Sequence, residues 1–422
     1  MFFRVPPALG SDLLKLFLIG LAAWLGGAGI LLYHFQTITP LTCIWTVVVF
    51  PFVALILTLG YLKIILSLLL PTAALGLGVI VTGTADLLIG IVKLIARLNV
   101  SEILIGRVPP AVVIFYYCIV LFAGFAYFKR PLIKKTVWMT SALALIVFLG
   151  AVKWQRAHRD NLVLTCLDVG HGQAILAQLP KNTNILFDAG SLHKSDIGRR
   201  VVVPFLAHIG INKIDAILIS HNDVDHINGI PEIVENCDVN GVYANDAFFS
   251  KTDQWGTAKY LDEGLHERGI KKIHSLDKLN INSIAKVKII WPGRQNSQNK
   301  QLSDNNESAV CLIEFAGRKI LLCSDIEKSA QAELLRIYPD LKADVVVVPH
   351  HGSVRTGQSS FLENLEAEVL IYSCGRRGYE RIDCAPSSGN LIGTKLFYTP
   401  KDGAIGVCID KKGAIKAVSH HP

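Results

Sequence analysis

Long apolar runs fill the first 150 residues of the chain. Each is about 17–20 residues long, which suffices to cross a hydrocarbon core of about 30 Å as a helix. In lipid only helices and closed barrels satisfy their own backbone, so helices are expected. The pattern predicts five spans, with an uncertainty of one, at residues 16–33, 43–60, 64–81, 111–128 and 136–152. Because Pro51 and Pro71 interrupt or bound these runs, the second and third are alternatively one bent or re-entrant passage.

Residues 86–98 differ from the other apolar runs. Asp86, Lys93 and Arg97 recur at a spacing that places a polar stripe on an apolar helix. Such a helix lies on a membrane surface or faces a helix bundle; the alternative is the ordinary end of a span. A cleaved signal peptide is excluded, because the first run has no short apolar core with a small-residue cleavage site and further spans follow.

From residue 161 the pattern changes to short β-rich runs separated by Gly, Asn and Pro. A helical stretch at 327–337 places its apolar residues on one face. Strands and helices together predict one large α/β domain. The expected organisation is a transmembrane region at 1–155 and an α/β domain at 156–422. The predicted strands lie at 162–167, 174–179, 184–187, 216–220, 310–315, 319–323, 344–348 and 369–372.

Composition supports a protein partly dissolved in lipid. Hydrophobic residues make up 51% and charged residues only 18%, with a mean hydropathy of +0.41. These values exclude a disordered chain and a small disulfide-stapled domain. The net charge of +8 suggests nucleic-acid binding at first, yet residues 1–150 hold 10 basic and 3 acidic residues, a net of +7. The basic excess therefore belongs to the membrane part.

The orientation prediction rests on a short loop that carries Lys129, Arg130, Lys134 and Lys135. Positive loops stay cytoplasmic, so a multi-pass protein of the inner or plasma membrane is expected, with the α/β domain on the extracytoplasmic side. Two features weigh against this orientation. Basic residues also follow the last span, and seven of the nine cysteines, which cannot all pair internally, lie after residue 155. Three of these, Cys166, Cys311 and Cys323, are expected to be buried hydrophobes.

Residues 216–229 (AILISHNDVDHING) carry the decisive chemistry. An apolar strand ends in four side chains that bind divalent metals: His221, Asp223, Asp225 and His226. The first two can hold one ion and the last two a second ion, and two such ions activate water and stabilise the leaving oxygen of a phosphodiester. The alternative is a polar loop that caps the following helix, with Asp225 as the N-cap.

Two further apolar strands end in ligand residues. Residues 321–325 (LLCSD) end in Asp325, and residues 345–353 (VVVVPHHGS) contain His350 and His351. Since open α/β sheets place their sites at strand ends, these side chains are expected to join the metal loop, with Asp325 bridging two ions. Taken singly, Asp325 is a candidate helix N-cap, and the two histidines are candidates for solvated turn residues.

These motifs resemble the metallo-β-lactamase superfamily, and the fuller pattern resembles one branch of it. Residues 167–174 (LDVGHGQA), 185–190 (ILFDAG), 201–215 (VVVPFLAHIGINKID) and 305–310 (NNESAV) are similar to the C-terminal domain of ComEC-type DNA-internalisation proteins. In the membrane part, residues 21–35 (LAAWLGGAGILLYHF) resemble the same family. The resemblance covers nearly the whole chain, but the family's N-terminal external domain and its earlier helices have no match here.

The resemblance implies an αββα sandwich and a centre for two divalent ions. It carries over His221, Asp223, Asp225, His226 and Asp325 as ligands, with His351 preferred over His350. The family's usual third histidine for the first ion is absent; Asn305 or Asn306 occupies that neighbourhood, and Asp223 replaces a usual histidine. The ligand set therefore favours manganese or zinc.

Two departures from the family pattern bear on catalysis. His171 stands where the family has glutamine, and is a candidate proton shuttle or ligand. Residues 375–381 (GRRGYER) contain no histidine where the family usually has one, so phosphate contacts are expected from Arg376, Arg377 and Arg381, with Asn305 as a further substrate contact.

The resemblance implies DNA uptake in natural transformation. The globular domain is then a nuclease that degrades the non-transported strand, with Asp225 and Asp325 positioning the attacking water and His171 assisting. The membrane part contributes to a channel for single-stranded DNA. The expected partners are single-stranded DNA, the lipid bilayer, other uptake components and the missing N-terminal part of the channel. The alternatives are a DNA-guiding module that does not cut, and a hydrolase of a small ester or phosphodiester.

Overall fold

The computed structural model describes residues 7–98, 102–125, 131–245, 248–249, 256–274, 284–292, 303–357, 359–383 and 393–420. The chain divides into two compact units, Met1–Lys153 with Ala207–Gly210, and Trp154–Leu206 with Ile211–Pro422. The predicted domain boundary at residue 155 stays a prediction.

The N-terminal part of the chain is helical. Three of its described helical stretches are long and apolar enough to cross a membrane: Asp12–Phe35, Thr42–Leu69 and Pro71–Ala96. A two-stranded antiparallel sheet joins β1 (Thr37–Ile38) to β2 (Ile103–Leu104). The helices are α1 (Pro7–Phe35), α2 (Thr42–Leu69), α3 (Pro71–Ala96), α4 (Pro110–Phe125) and α5 (Pro131–Ala157).

The predicted bounds of the second and third spans are wrong. Helix α2 continues to Leu69 with Pro51 inside it, and the break comes at Leu70. Pro71 then begins α3, because a first-turn proline needs no backbone hydrogen-bond acceptor. Residues 86–96 are the last part of α3, which runs unbroken from Pro71 to Ala96, as the alternative of an ordinary span end predicts. Predicted span 136–152 lies within α5; the end of span 111–128 and the loop residues Lys129 and Arg130 lie outside the described residues.

The second unit is built on two sheets. The first sheet has eight strands in the order β10-β9-β7-β5-β4-β3-β17-β18, in which β5, β7, β9 and β10 run parallel and the other pairings are antiparallel. Its strands are β3 (Leu162–Cys166), β4 (Ala174–Leu179), β5 (Thr183–Ala189), β7 (Ala216–Leu218), β9 (Val242–Tyr243), β10 (Lys272–Ile273), β17 (Ala404–Ile409) and β18 (Ile415–His420). A separate two-stranded sheet pairs β6 (Lys213–Ile214) with β8 (Asp238–Val239).

The second sheet has six strands in the order β11-β12-β13-β14-β15-β16, of which β13 to β16 are parallel. They are β11 (Lys286–Trp291), β12 (Val310–Phe315), β13 (Arg318–Leu322), β14 (Val345–Val347), β15 (Val369–Tyr372) and β16 (Lys395–Tyr398). The helices of this unit are α6 (Val203–Ile209), α7 (Val224–Ile227), α8 (Ile230–Asn236), α9 (Thr257–Glu267), α10 (Lys328–Ile337), α11 (Ser359–Leu365), α12 (Arg376–Asp383) and α13 (Thr399–Asp402), with short helical turns at Gly198–Val202, Asn305–Glu307 and Pro349–Gly352.

The core lies between the two sheets. Alternate residues of β14 point to opposite sides: Val345 and Val347 join the layer shared by both sheets, whereas Val346 joins a second layer with Leu334 of α10 and Phe361 of α11. A strand buried on both faces has no polar alternation, which explains the unbroken apolar runs of the sequence. The predicted αββα metallo-β-lactamase fold is thereby confirmed, and strands β4, β12 and β15 begin and end where the sequence predicts.

Candidate metal centre

The first sheet supplies the metal loop. After β7 the chain presents Ser220 and His221, both buried, and then turns into α7, which carries Asp225 and His226. Asp223 occupies the N-cap position of α7. The alternative in which Asp225 caps this helix is therefore wrong, and Asp225 lies in the first turn.

The second sheet supplies the opposite side of the centre. Asp325 follows β13 and is buried; since Glu327, not Asp325, is the N-cap of α10, the capping alternative for Asp325 does not hold. His351 follows β14. Three residues here, Ser324, His350 and His351, have left-handed backbone angles (φ of 48°, 50° and 56°). Such angles cost non-glycine residues about 1–2 kcal/mol each, so the surrounding contacts hold these turns against a local preference.

Two groups of potential ligand atoms result. The first is His221, His226 and Asp325, and the second is His171, Asp225 and His351; within each group the ligand atoms lie within 4.8 Å of one another. Asp325 faces both groups. Its Oδ1 lies 3.2 Å from His226 Nε2, and its Oδ2 lies 3.5 Å from His351 Nε2. This is the placement that the predicted bridging role requires.

Four of the ligand atoms lack a hydrogen-bond partner among the residues that the structure describes. Nε2 of His221, His226 and His351 and Oδ1 of Asp325 are buried without one. Leaving such a buried polar atom unsatisfied costs about 1–3 kcal/mol. Several of them at one point, all of metal-ligand type, fit a cation that would satisfy them together. His221, His226, Asp325, Asp225 and His351 are therefore suited to hold divalent metal.

The opposite ring nitrogens fix the tautomers of these histidines. His351 Nδ1 lies 2.8 Å from the carbonyl oxygen of Ser373. A carbonyl only accepts, so Nδ1 carries the proton and Nε2 of the neutral ring keeps its lone pair. His226 Nδ1 donates in the same way to Asp188 Oδ2 at 2.8 Å. Such outer partners orient metal-binding imidazoles.

Asp188 is the centre of a buried network that the sequence interpretation missed. Its Oδ1 accepts from the Ser220 amide at 2.8 Å. Its Oδ2 accepts from Ser220 Oγ at 2.8 Å and from Gln173 Nε2 at 2.9 Å, besides His226. Because Ser220 gives its only hydroxyl proton to Asp188, its oxygen accepts from His221 Nδ1 at 2.9 Å, so Nε2 of the neutral His221 ring also keeps its lone pair. The signal for Asp188 was present: it ends an apolar strand, as Asp325 does.

Electrostatics show how strongly this pocket attracts positive charge. Burial alone would lower the pKa of His351, but Asp325 and Asp225 raise it to about 9. Burial likewise disfavours a charged His226, yet Asp325 and Asp188 hold its pKa well above the usual value. Conversely, burial would raise the pKa of Asp225, and the nearby imidazoles of His351 and His226 lower it to about 2. The carboxylates thus stay ionised and favour cations.

The remaining predicted site residues belong to neither group. His350 Nδ1 lies 3.7 Å from Glu327 Oε1, and Asn305 Nδ2 donates to the same carboxylate at 3.2 Å. Asp223 contacts the edge of the first group, with its Oδ2 3.3 Å from His221 Nε2. The three arginines predicted to contact phosphate, Arg376, Arg377 and Arg381, lie exposed on α12.

Comparison with known families agrees with both parts of the chain. A family described as "Competence protein" matches residues 4–130, and one described as "Beta-lactamase superfamily domain" matches residues 183–357. The chain is 25% identical over 396 residues to "ComE operon protein 3" of Bacillus subtilis, covering 89% of this chain and 48% of that protein.

A second curated relative and one solved structure are also similar. "Competence protein ComA" of Neisseria gonorrhoeae is 24% identical over 284 residues, covering 65% of this chain and 36% of that protein. The crystal structure of the metallo-β-lactamase fold protein YhfI from Bacillus subtilis aligns with 61% of this chain and 99% of its own, at 13% identity and a TM-score of 0.36. The chain thus spans about half the length, or less, of these two curated relatives.

Proposed function

Because the chain carries the two domains of the ComEC-type competence family, a competence membrane region and a beta-lactamase superfamily domain, we propose that it acts in DNA uptake, with a metal-dependent nuclease in its globular unit. The substrate is the DNA strand that is not transported. The membrane part contributes to the passage of the other, single strand. Single-stranded DNA, the bilayer and other uptake components are the proposed partners.

One observation carries the nuclease proposal. Three imidazole nitrogens and a carboxylate oxygen, from segments that follow strands of two sheets, are buried together without hydrogen-bond partners among the described residues. Two divalent ions, manganese or zinc, would supply Lewis-acid activation of water and of the scissile phosphate when bound there. Asp225 and Asp325, ionised in the pocket, would orient the attacking water.

Substrate contacts come from outside this buried centre. Residues 156–422 have almost no net charge, so attraction for DNA depends on bound cations and on local arginines. Arg377 is exposed on α12, and this helix follows β15 along the chain. Directly after β15, the carbonyl oxygen of Ser373 accepts a hydrogen bond from His351 Nδ1. Arginine binds phosphate bidentately but does not readily give up a proton, so Arg376, Arg377 and Arg381 are proposed to bind the substrate and not to act as acids.

The test is a cleavage assay on the full chain in detergent, with end-labelled single-stranded DNA and Mn²⁺ or Zn²⁺. Asp225→Ala should reduce the rate at least a hundredfold, whereas Glu263→Ala, which removes an exposed carboxylate from α9, should leave it unchanged. Activity that survives Asp225→Ala, or wild-type protein that binds metal without cutting DNA, would refute the nuclease.

The second candidate is a module that guides DNA without cutting. The lack of any histidine in residues 375–381 favours it, because no imidazole from that stretch can serve as the acid. It predicts DNA binding that weakens steeply with salt and no product under any divalent metal. Loss of transformation in Asp225→Ala with unaltered DNA conduction would count against this candidate.

A further inference from the structure

We propose that His171 is a metal ligand of this chain, completing a second three-residue group with Asp225 and His351. The proposal rests on the proposed function in requiring a metal centre, but not in requiring that DNA be cut.

The donor count of the two groups carries the argument. The first group, His221, His226 and Asp325, offers two imidazoles and one carboxylate. Without His171, the second would offer one imidazole and one carboxylate of its own, and would depend on the shared Asp325 for a third ligand. Catalytic zinc sites use three protein ligands. With His171 included, the two groups have the same donor set, which suits a first-row divalent ion such as Mn²⁺ or Zn²⁺.

The geometry around His351 agrees with this assignment. The ring centroids of His171 and His351 lie 4.8 Å apart. His351 is 5% exposed, its Nε2 has no hydrogen-bond partner, and this nitrogen lies 3.4 Å from Asp225 Oδ2. The unpartnered nitrogen therefore faces the carboxylate and imidazole that would share its ion.

The loop that carries His171 is held at both sides. The His171 carbonyl accepts from the Leu192 amide at 2.7 Å, beyond β5. The Gly172 carbonyl accepts from Ser373 Oγ at 2.8 Å, beyond β15. Gly375 leaves room for the histidine, since a Cβ there would lie 3.1 Å from His171 Cβ. By contrast, the His171 ring makes no hydrogen bond to any residue that the structure describes, so both of its nitrogens are available.

The experiment measures metal binding to the full chain in detergent. The metal-free protein is titrated with Mn²⁺ and Zn²⁺, and bound metal is counted by mass spectrometry. The wild type should bind two ions. His171→Gln should retain one and bind the other roughly tenfold more weakly or worse, because even residues that only orient ligands change affinity by about 10–100-fold.

His193→Gln is the matched control. His193 is exposed and its ring lies 6.3 Å from that of His171, so the change removes a neighbouring imidazole outside both ligand groups. It should bind metal as the wild type does. Unchanged affinity in His171→Gln, or an equal loss in His193→Gln, would overturn the assignment.

A second measurement uses only the wild type and so does not depend on the folding of a variant. Diethylpyrocarbonate modifies accessible imidazoles, and peptide mass spectrometry locates the product. Added Mn²⁺ should protect His171 and leave His193 reactive; modification of His171 at an unaltered rate would refute ligation. If the wild-type protein binds two ions and shows this protection but cuts no DNA, His171 is supported as a metal ligand and the nuclease activity is refuted.

Discussion

At the scale of the residue, Asp188 shows how one buried carboxylate sets the state of two imidazoles. It belongs to neither ligand group, yet it accepts one hydrogen bond directly from His226 and another from the hydroxyl group of Ser220. Ser220 is thereby free to accept from His221. Asp188 is thus a positioning residue, since it acts on the proposed ions only through the histidines that would bind them.

Asp188→Asn should therefore weaken metal binding by about 10–100-fold, although the asparagine side chain has nearly the same size and shape as the aspartate. Ser220 Oγ, Gln173 Nε2 and His226 Nδ1 all donate to Asp188 Oδ2. An amide nitrogen at that position is itself a donor, so the His226 Nδ1 proton would lose its acceptor. The measurement is metal titration of the full chain, with Glu263→Gln as the control. Affinity equal to that of the wild type would show that Asp188 does not position the ligands.

Glycines beside the metal loop offer a second test. A Cβ on Gly190 would lie 2.4 Å from the backbone nitrogen of His226, whereas one on Gly264 of α9 would meet no heavy atom within 4 Å. Gly190→Ala should destabilise the fold by about 1–3 kcal/mol, as overpacking does. Gly264→Ala should stabilise it by up to about 1 kcal/mol, through helix propensity. The midpoints of urea unfolding, followed by circular dichroism, compare the two; a Gly190→Ala midpoint at or above the wild-type value would contradict the close packing.

At the scale of the element, strands buried on both faces determine the chemistry of the cysteines. Cys311 of β12 and Cys323 after β13 are buried, and burial raises the pKa of both thiols. They should resist N-ethylmaleimide in the folded chain, while half-buried Cys408 reacts faster. Peptide mass spectrometry before and after denaturation measures this. Equal labelling of Cys311 and Cys408 in the folded chain would contradict the burial of β12.

The same strands explain how far the sequence could predict the structure. Apolar runs located β4, β12 and β15 without error. The ligand-type residues that follow such runs include five members of the two groups, His221, Asp225, His226, Asp325 and His351. What failed depends on long-range packing. Asp188 reads as an ordinary strand end until Ser220 and His226 meet it. His171 was a candidate from the family resemblance, but its place beside His351 depends on the packing of two sheets. In the membrane part, Pro71 begins a helix that the apolar pattern alone placed elsewhere.

At the scale of the whole molecule, the burial of the thiols removes one objection to the prediction that the globular unit is extracytoplasmic. The described cysteines there are free, and four of them, Cys166, Cys311, Cys323 and Cys374, are buried, which shields them from an oxidising space.

Reporter fusions can test this predicted orientation. Alkaline phosphatase fused after residue 422 should be active, and green fluorescent protein at the same position should be dark, because positive loops favour the cytoplasm. The reverse pair of results would place the globular unit in the cytoplasm.

The centre also has a thermodynamic consequence for the whole fold. Its donors follow strands of two different sheets, and donors such as Asp225 and His351 lie more than 100 positions apart. An ion shared through Asp325 would cross-link those sheets, and an unfolded chain has no equivalent site. Native stability would then rise with free metal as RT ln(1 + [metal]/Kd). A cell short of the ion that binds there would then lose copies of the protein to proteolysis, so that metal supply would set its abundance as well as its chemistry.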